Sequence, residues 1–264
     1  MPTIPQGPQR IVCLTEEPTE ILYRLGCEDR IVGISAYTVR PKRAKAEKPI
    51  VSAFIDGSVK KIVNLNPDLV IGFSDIQANL AQKLISAHQN VLIFNQRSVK
   101  EILEVISQIG SLVQRPAAAK DLVQKCLDNL HRVEKTAAQK SYRPRVYFEE
   151  WDEPMITAIE WVSELIHIAG GDDIFSEIST GKGASERYVD VEKVASADPE
   201  VVLASWCGKP FDYKRFKARF VNKNIDAIRN HRIYEIPAEI ILQPGPAALL
   251  DGVTALQSKI QGTH

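Results

Sequence analysis

The sequence predicts an α/β protein of two similar lobes, each built on a mainly parallel sheet and joined by one long helix. Three observations carry that expectation. Short apolar runs alternate with amphipathic helical patterns along both halves of the chain, the signature of βαβ units and parallel strands. Val59–Ile71 aligns without a gap on Val191–Leu203, giving two copies of a short helix, an Asn/Asp-Pro break, an acidic residue and an apolar strand. Between the copies lies Arg115–Lys140, a long helical segment with no counterpart elsewhere in the chain.

In the first half, Ile11–Thr15, Arg30–Ser35, Leu69–Phe73 and Val91–Phe94 read as buried strands. Thr19–Leu25, Val59–Leu65, Ile76–His88 and Val99–Leu112 read as the helices between them. In the second half the strands are Arg145–Trp151, Val201–Trp206 and Arg232–Ile236, with helices over Thr157–Ala169, Val191–Ala197, Tyr213–Val221 and Ala247–Ile260. Gly26–Ser35 and Gly170–Ser179 form a fainter second repeat. The middle helix places Leu122, Val123, Cys126, Leu127, Leu130 and Val133 on one face, starts with Pro116 where no helical N–H bond is lost, and spans roughly 36 Å. The expected organisation is a lobe over residues 1–114, a connecting helix over 115–140 and a second lobe over 141–264.

The 264 residues carry no formal net charge, with 44% hydrophobic and 25% charged side chains, as in an ordinary globular protein. The basic stretches Arg40–Lys48 and Lys214–Arg219 are short and interrupted, so there is no electrostatic footprint for nucleic acid. No run approaches the length of a membrane helix, and Met1–Arg10 lacks the pattern of a secretory leader. A cytoplasmic protein is the expectation from that N-terminus, a periplasmic or extracytoplasmic one the alternative if a leader has been trimmed. Cys13, Cys27, Cys126 and Cys207 form no CxxC pair; the first three sit among apolar neighbours as small buried hydrophobes. The five histidines are scattered, and no metal site is expected.

Parallel sheets gather ligands at the carboxyl ends of their strands. In the first lobe those ends carry Thr15-Glu16-Glu17, Ser35-Ala36-Tyr37 and Phe73-Ser74-Asp75, with Phe54-Ile55-Asp56 ahead of a helix. In the second they carry Glu149–Pro154, Glu160-Trp161, Ser185–Tyr188, Trp206-Cys207-Gly208 and Gln243–Pro246. All three tryptophans thus fall near strand ends of one lobe, beside carboxylates, glycine and proline, as an aromatic-lined ligand wall would. A hydrolase using Glu150 and Glu160 as an acid/base pair is the catalytic alternative. Cys207 has no local base to activate it.

Arg10-Ile11-Val12 with Thr19-Glu20, Asn66-Pro67-Asp68-Leu69-Val70-Ile71, Ala169-Gly170-Gly171 and Ala197-Asp198-Pro199-Glu200-Val201-Val202 occur in an order that points further. From about Arg10 to Ile260 the chain resembles the helical-backbone (class III) substrate-binding proteins of ABC importers for cobalamin, haem and ferric siderophores. Its Glu150-Trp151-x-x-Pro154 segment and Pro244-Gly245-Pro246 are most similar to the cobalamin-binding branch. The resemblance implies two Rossmann-like lobes joined by a helix, a non-catalytic and monomeric protein that is the substrate-binding component of an ABC-type importer or a cytosolic carrier derived from one, and a corrinoid such as cobalamin held between the lobes as ligand, with no intrinsic cofactor. A ferric siderophore or haem is the alternative ligand. Glu16, Tyr37 and Phe54 in the first lobe, and Glu150, Trp151, Trp161, Arg187, Trp206 and Gln243 in the second, are the implied ligand-binding residues. An ABC transporter permease is the implied partner, docked through Glu192 on the second lobe, where the equivalent first-lobe position holds Lys60. Glu160 stands where relatives of this branch often have histidine.

Overall fold

The computed structural model describes residues 6–53 and 55–262. The chain divides into two compact units, one of residues up to Gln96 with Lys100–Lys125, the other of Arg97–Val99 with Cys126 onward.

The first unit follows the order β1 (Ile11–Cys13), α1 (Glu16–Arg24), β2 (Ile31–Ser35), α2 (Ala44–Glu47), β3 (Ile50–Ser52), α3 (Val59–Asn64), β4 (Leu69–Phe73), α4 (Ala78–Ser86), β5 (Val91–Phe94) and α5 (Val99–Leu112). Its five strands are all parallel, in the order β3-β2-β1-β4-β5. Such a sheet is covered on both faces, which is why its strands read as unbroken apolar runs. Val12, Leu14, Val51, Ile62, Val70, Leu80 and Leu84 form one of its cores. The strand order reverses beside β1, so the sequence segments after β1 and β4 flank the crevice where such sheets bind ligands.

A long helix, α6 (Pro116–Ala137), starts in the first unit and ends in the second. Ala119, Leu122, Cys126, Leu130, Val133 and Ala137 are its buried residues, on the face that the periodicity assigns. In the first unit a Cβ added to Gly110 of α5 would lie 2.2 Å from the Ala119 Cβ, so a small residue is needed where α5 and α6 meet.

The second unit continues with β6 (Arg145–Asp152), β7 (Met155–Thr157), α7 (Glu160–Ile168), β8 (Asp172–Asp173), α8 (Val191–Ala197), β9 (Val201–Ala204), α9 (Tyr213–Arg219), α10 (Asp226–Arg229), β10 (Ile233–Glu235), α11 (Ala238–Ile241) and α12 (Val253–Gln261). Its sheet runs β10-β9-β6-β7, with β8 also against β6. β10, β9, β6 and β8 are parallel; β7 is antiparallel to β6. Two of the expected helices begin differently, and β7, β8, α10 and α11 are additions to the sequence expectation. The helix expected from Thr157 starts at Glu160, because Met155-Ile156-Thr157 fold back on β6 as a strand. The helix expected over Ala247–Ile260 opens with a π-helical turn over Ala248–Gly252. The Asn129 amide of α6 donates to the Leu249 and Leu250 carbonyls of that turn, both at 2.9 Å, satisfying acceptors that the altered ladder leaves over.

Both sequence repeats are structural. Ser58 caps α3 by accepting from the Lys61 N–H, and Asp190 caps α8 by accepting from the Lys193 N–H, at matching positions. Asn66 and Asp198, which end the two helices before proline, both take the left-handed conformation, at φ 46° and 44°. Asp68 accepts from the backbone N–H of Arg10 (3.0 Å), and Glu200 from that of Arg145 (2.9 Å). The two arginines close the motif, Arg10 on the carbonyls of Leu65 and Asn66, Arg145 on that of Asp198. The fainter pair is equally regular. Gly26 and Gly170 stop α1 and α7 at positive φ, and the next residues, Cys27 and Gly171, donate to the Leu22 and Ile166 carbonyls at 2.9 Å each.

Asn66 is exposed, so its contribution is conformational. A β-branched residue there has to occupy the left-handed region, at about 1–2 kcal/mol. Asn66→Val should therefore lower the unfolding free energy in urea by about that amount, whereas Asn66→Gly should change it by only a few tenths of a kcal/mol.

Candidate ligand-binding site

In the second unit the strand order turns between β6 and β9, and the segments following these strands build a connected polar and aromatic cluster. At its base is Glu149, fully buried on β6. Its Oε1 accepts from Arg219 Nη2 at 2.6 Å and from Trp206 Nε1 at 3.1 Å, and its Oε2 from the Tyr147 hydroxyl at 3.1 Å. Burial pushes the carboxyl above its ordinary pKa, against the pull of Arg219, Tyr147 and Trp206. Trp206 is buried behind these contacts and packs edge-on against Phe211, centroids 5.0 Å apart, with Phe216 and Phe220 stacked beyond. The indole plane is therefore fixed from two sides.

Lys209 bridges this wall to the end of β6. Its ammonium lies 4.0 Å from the Trp151 ring centroid and 4.8 Å from that of Trp206, and donates to Asp152 Oδ1 at 2.5 Å. Arg215 Nε also reaches Asp152, at 3.0 Å. Burial raises the Asp152 carboxyl, but Lys209 and Arg215 outweigh it and hold the group below the usual carboxylate range. Trp151 remains half-buried, its indole N–H on the Glu153 carbonyl at 2.9 Å. Beside Trp206 and Lys209, at the ends of β9 and β10, opens a recess of about 510 Å³ lined also by Ser205, Glu235, Pro237 and Glu239.

The other expected residues are distributed around this centre. Arg187 is buried, with Nη1 donating to Glu150 Oε2 and to the Thr157 carbonyl, each at 2.6 Å, and Nη2 to Glu150 Oε1 at 3.2 Å. That pair ties the loop carrying Arg187 to β6 and β7. Trp161 is buried on α7 with its indole N–H on the Ile241 carbonyl at 2.9 Å, joining α7 to α11. Gln243 is half-buried in the turn after α11. Glu160 is the first residue of α7, and Cys207 is an exposed thiol beside Gly208. Cys13, Cys27 and Cys126 are buried as the sequence indicates.

In the first unit, Glu16 and Glu17 open α1 at the carboxyl end of β1, both buried. Glu17 Oε1 accepts from the Thr15 hydroxyl at 2.7 Å, whereas its Oε2 has no hydrogen-bond partner among the described residues. Burial pushes the Glu17 carboxyl up to about 7. Tyr37 is exposed just after β2, its N–H on the Ser35 hydroxyl. Phe54 lies outside the described residues. Glu192 sits in the first turn of α8, exposed and paired with Lys223 at 2.5 Å; Lys60 holds the matching place on α3.

Sequence reasoning missed Lys209, Arg215 and Arg219 as parts of the site. Lys209 adjoins the Trp206-Cys207-Gly208 segment, so its neighbourhood was marked. Arg219 approaches from a helix whose facing the sequence cannot orient, across 70 residues of separation.

The sequence matches a known family. The family model for periplasmic binding proteins covers residues 11–240. The chain is a member of that family. An ABC transporter substrate-binding lipoprotein of Bacillus subtilis (strain 168) is 25% identical over 98% of this chain and 82% of its own length. The vitamin B12-binding protein of Vibrio parahaemolyticus is 26% identical, covering 91% of this chain and 86% of its own. Among solved structures, the periplasmic vitamin B12 binding protein of Vibrio cholerae shares the fold at a TM-score of 0.76 and 22% identity, over 97% of this chain and 98% of that one. The cytoplasmic placement expected from the N-terminus finds no support in these relatives, whose names are those of a lipoprotein and a periplasmic protein. Among the described residues no helix is long and apolar enough to cross a membrane, and no three His, Cys, Asp or Glu side chains are grouped to hold a metal ion.

The raised Glu17 carboxyl sets a pH dependence. The folded state holds this proton more tightly than the unfolded chain, whose carboxyl titrates near 4.5. The stabilisation is full below about pH 4.5 and is lost as the pH rises through about 7. Urea unfolding across that window should show the wild-type protein losing stability relative to Glu17→Gln. Asp173, raised to about 6 by burial, acts in the same direction but is present in both proteins and cancels.

Proposed function

We propose that this chain is the extracytoplasmic, non-catalytic ligand-binding component of an ABC-type importer, and that its ligand is a corrinoid of the cobalamin class. The observation that carries this reading is the indole wall of Trp206 and Trp151 at the ends of β6 and β9, steadied by buried Glu149 and by Lys209. Flat aromatic surfaces beside hydrogen-bonding groups suit a large macrocycle edged by amides. The names of the Vibrio relatives support the same ligand class. Tyr37, Phe54 and Glu16 are the proposed contributions of the first unit, and Trp151, Trp206 and Gln243 those of the second. Glu150 and Arg187 hold the second-unit framework, with Trp161 behind it.

The geometry at Glu150 weighs against the catalytic alternative. Both Glu150 oxygens are held by Arg187, so the carboxylate is committed to an ion pair. An anionic siderophore or haem finds its natural counter-ion, Arg187, already engaged by the same pair.

Titration of the purified protein with cyanocobalamin, haem and a ferric catecholate siderophore tests the reading. Tryptophan quenching and a raised Tm are expected with cyanocobalamin, and Trp206→Ala should weaken that binding at least tenfold. Quenching by haem alone, or by none of the three, refutes the corrinoid assignment.

The permease is the proposed partner, with Glu192 as its contact on the second unit. Its pair with Lys223 is exposed and worth little to stability, so it is open to exchange. Glu192→Lys should leave ligand affinity and Tm unchanged while lowering uptake by cells that depend on this protein. Unchanged uptake would remove Glu192 from the docking surface.

A further inference from the structure

We infer that Tyr188 is a further ligand-contacting residue, and that with Trp151 it forms a two-ring platform on one face of the second unit's sheet. The inference deepens the corrinoid reading and rests on it. Strand register fixes the faces. β6 and β7 pair Glu149 with Thr157, but the next pair is Trp151 with Ile156, so Glu150 is an extra residue in β6. Without that bulge Trp151 would share the face of buried Glu149, two residues back; the bulge turns it to the other face. Beyond β7, Ile156 is paired in turn with Tyr188 by an antiparallel bridge. Residues directly opposite one another in antiparallel pairs point to the same side, so Trp151, Ile156 and Tyr188 stand in a row across three adjacent segments. Their neighbours show the alternation. Met155 and Val189, one position from Ile156 and Tyr188, are buried in one cluster with Tyr147, on the face that Glu149 shares.

The two rings of this row are accessible. Trp151 is half-buried and Tyr188 is 45% exposed, whereas Ile156 between them is 9% exposed. The backbone beneath them is pinned all the same. Buried Arg187 donates to Glu150 and to the Thr157 carbonyl, and the Val189 N–H donates to the Met155 carbonyl at 3.1 Å. The Glu150–Arg187 pair thus joins the residue before Trp151 to the residue before Tyr188, and its charges neutralise each other. An exposed aromatic on a fixed backbone offers contact area at little cost in entropy. Two strand spacings place the Trp151 and Tyr188 backbones roughly 10 Å apart, too far for one small ring to cover both and within the breadth of a flat macrocycle. Lys209 lies over one face of the Trp151 ring, so the contact assigned to the ligand is with the other. Aromatic, aliphatic and aromatic in sequence, the row suits the carbon-rich face of a corrinoid.

The test titrates cyanocobalamin into the wild-type protein, Tyr188→Ala, Tyr188→Phe and Tyr142→Ala, with Tm measured for each. Tyr188→Ala should bind about tenfold more weakly at an unchanged Tm, because the lost side chain is exposed in the free protein. Tyr188→Phe keeps the ring and should bind within about twofold of the wild-type protein. Tyr142 is an exposed tyrosine ahead of β6, at the other end of that strand, and Tyr142→Ala should bind as the wild-type protein does. If cyanocobalamin binds the wild-type protein and Tyr188→Ala equally, the platform is refuted and the corrinoid reading stands. A loss in Tyr188→Phe as large as in Tyr188→Ala moves the contact from the ring to the hydroxyl and also overturns the platform. If cyanocobalamin does not bind the wild-type protein, both readings fall together.

Discussion

A fully buried carboxylate stays in a protein only when its oxygens are occupied, and the second unit is arranged around meeting that demand for Glu149. Three donors from three separate segments converge on it: Tyr147 from the same strand, Trp206 from the end of β9 and Arg219 from α9. Each is thereby fixed in place. Removing any one would leave a buried charge short of a partner, which is far more costly than the loss of a surface ion pair. The indole of Trp206 is the member with a consequence beyond stability, since its plane then forms one wall of the recess. The same logic places Arg219 over Phe216 and Phe220, so the aromatic stack behind Trp206 is held by the guanidinium that neutralises Glu149.

The two units solve the folding problem in the same way and differ where ligand chemistry is expected. Left-handed Asn or Asp, proline, acid and clasping arginine recur at equivalent positions, and all lie at the amino end of the repeated strands. At the opposite end the likeness is confined to the caps Ser58 and Asp190. After β1 the first unit has buried carboxyls, with Glu17 pushed toward neutrality; after β6 and β9 the second has a dense network of paired charges and indoles. A duplicated scaffold conserves the end that holds the strands together and is released to vary at the end that does not.

Much of this was legible in the sequence because it is written locally. The cap, the Asn/Asp-Pro break and the apolar strand are consecutive residues, and periodicity alone found the buried face of α6. What was not legible depends on partners far apart in the chain. The three short strands β3, β7 and β8 are too brief to show a period, and of β7 only its last residue, Thr157, fell in an expected element, the helix that follows it. The π turn at Ala248–Gly252 is settled by Asn129, about 120 residues away, whose amide collects the Leu249 and Leu250 carbonyls. Within the candidate site, the tryptophans announced themselves by type and place, but their separate roles did not. Trp161 and Trp206 both donate an indole N–H within the unit, yet one is bonded to a backbone carbonyl under α11 and the other stands at the recess. Composition cannot separate them; the identity of the acceptor and the neighbouring space do.

The pairing of charges also constrains what the second unit can recognise. Arg187 is held by Glu150, Arg219 by Glu149, and Lys209 and Arg215 by Asp152. Each of these cations already has a carboxylate within hydrogen-bond distance, in surroundings where exchanging that partner for a ligand's anion would first require uncovering a buried negative charge. The exchange is uphill for Glu149 and Asp152, both buried, even when the incoming group is itself anionic. The accessible part of the cluster consequently offers the half-buried Trp151 indole and hydrogen-bonding groups in place of net positive charge. A ligand bearing neutral amides around a flat ring system loses little water of solvation against such a wall. One bearing several carboxylates or catecholates would lose a great deal and recover little of it here. The positive charges of the whole cluster are consumed internally in holding the tryptophans still.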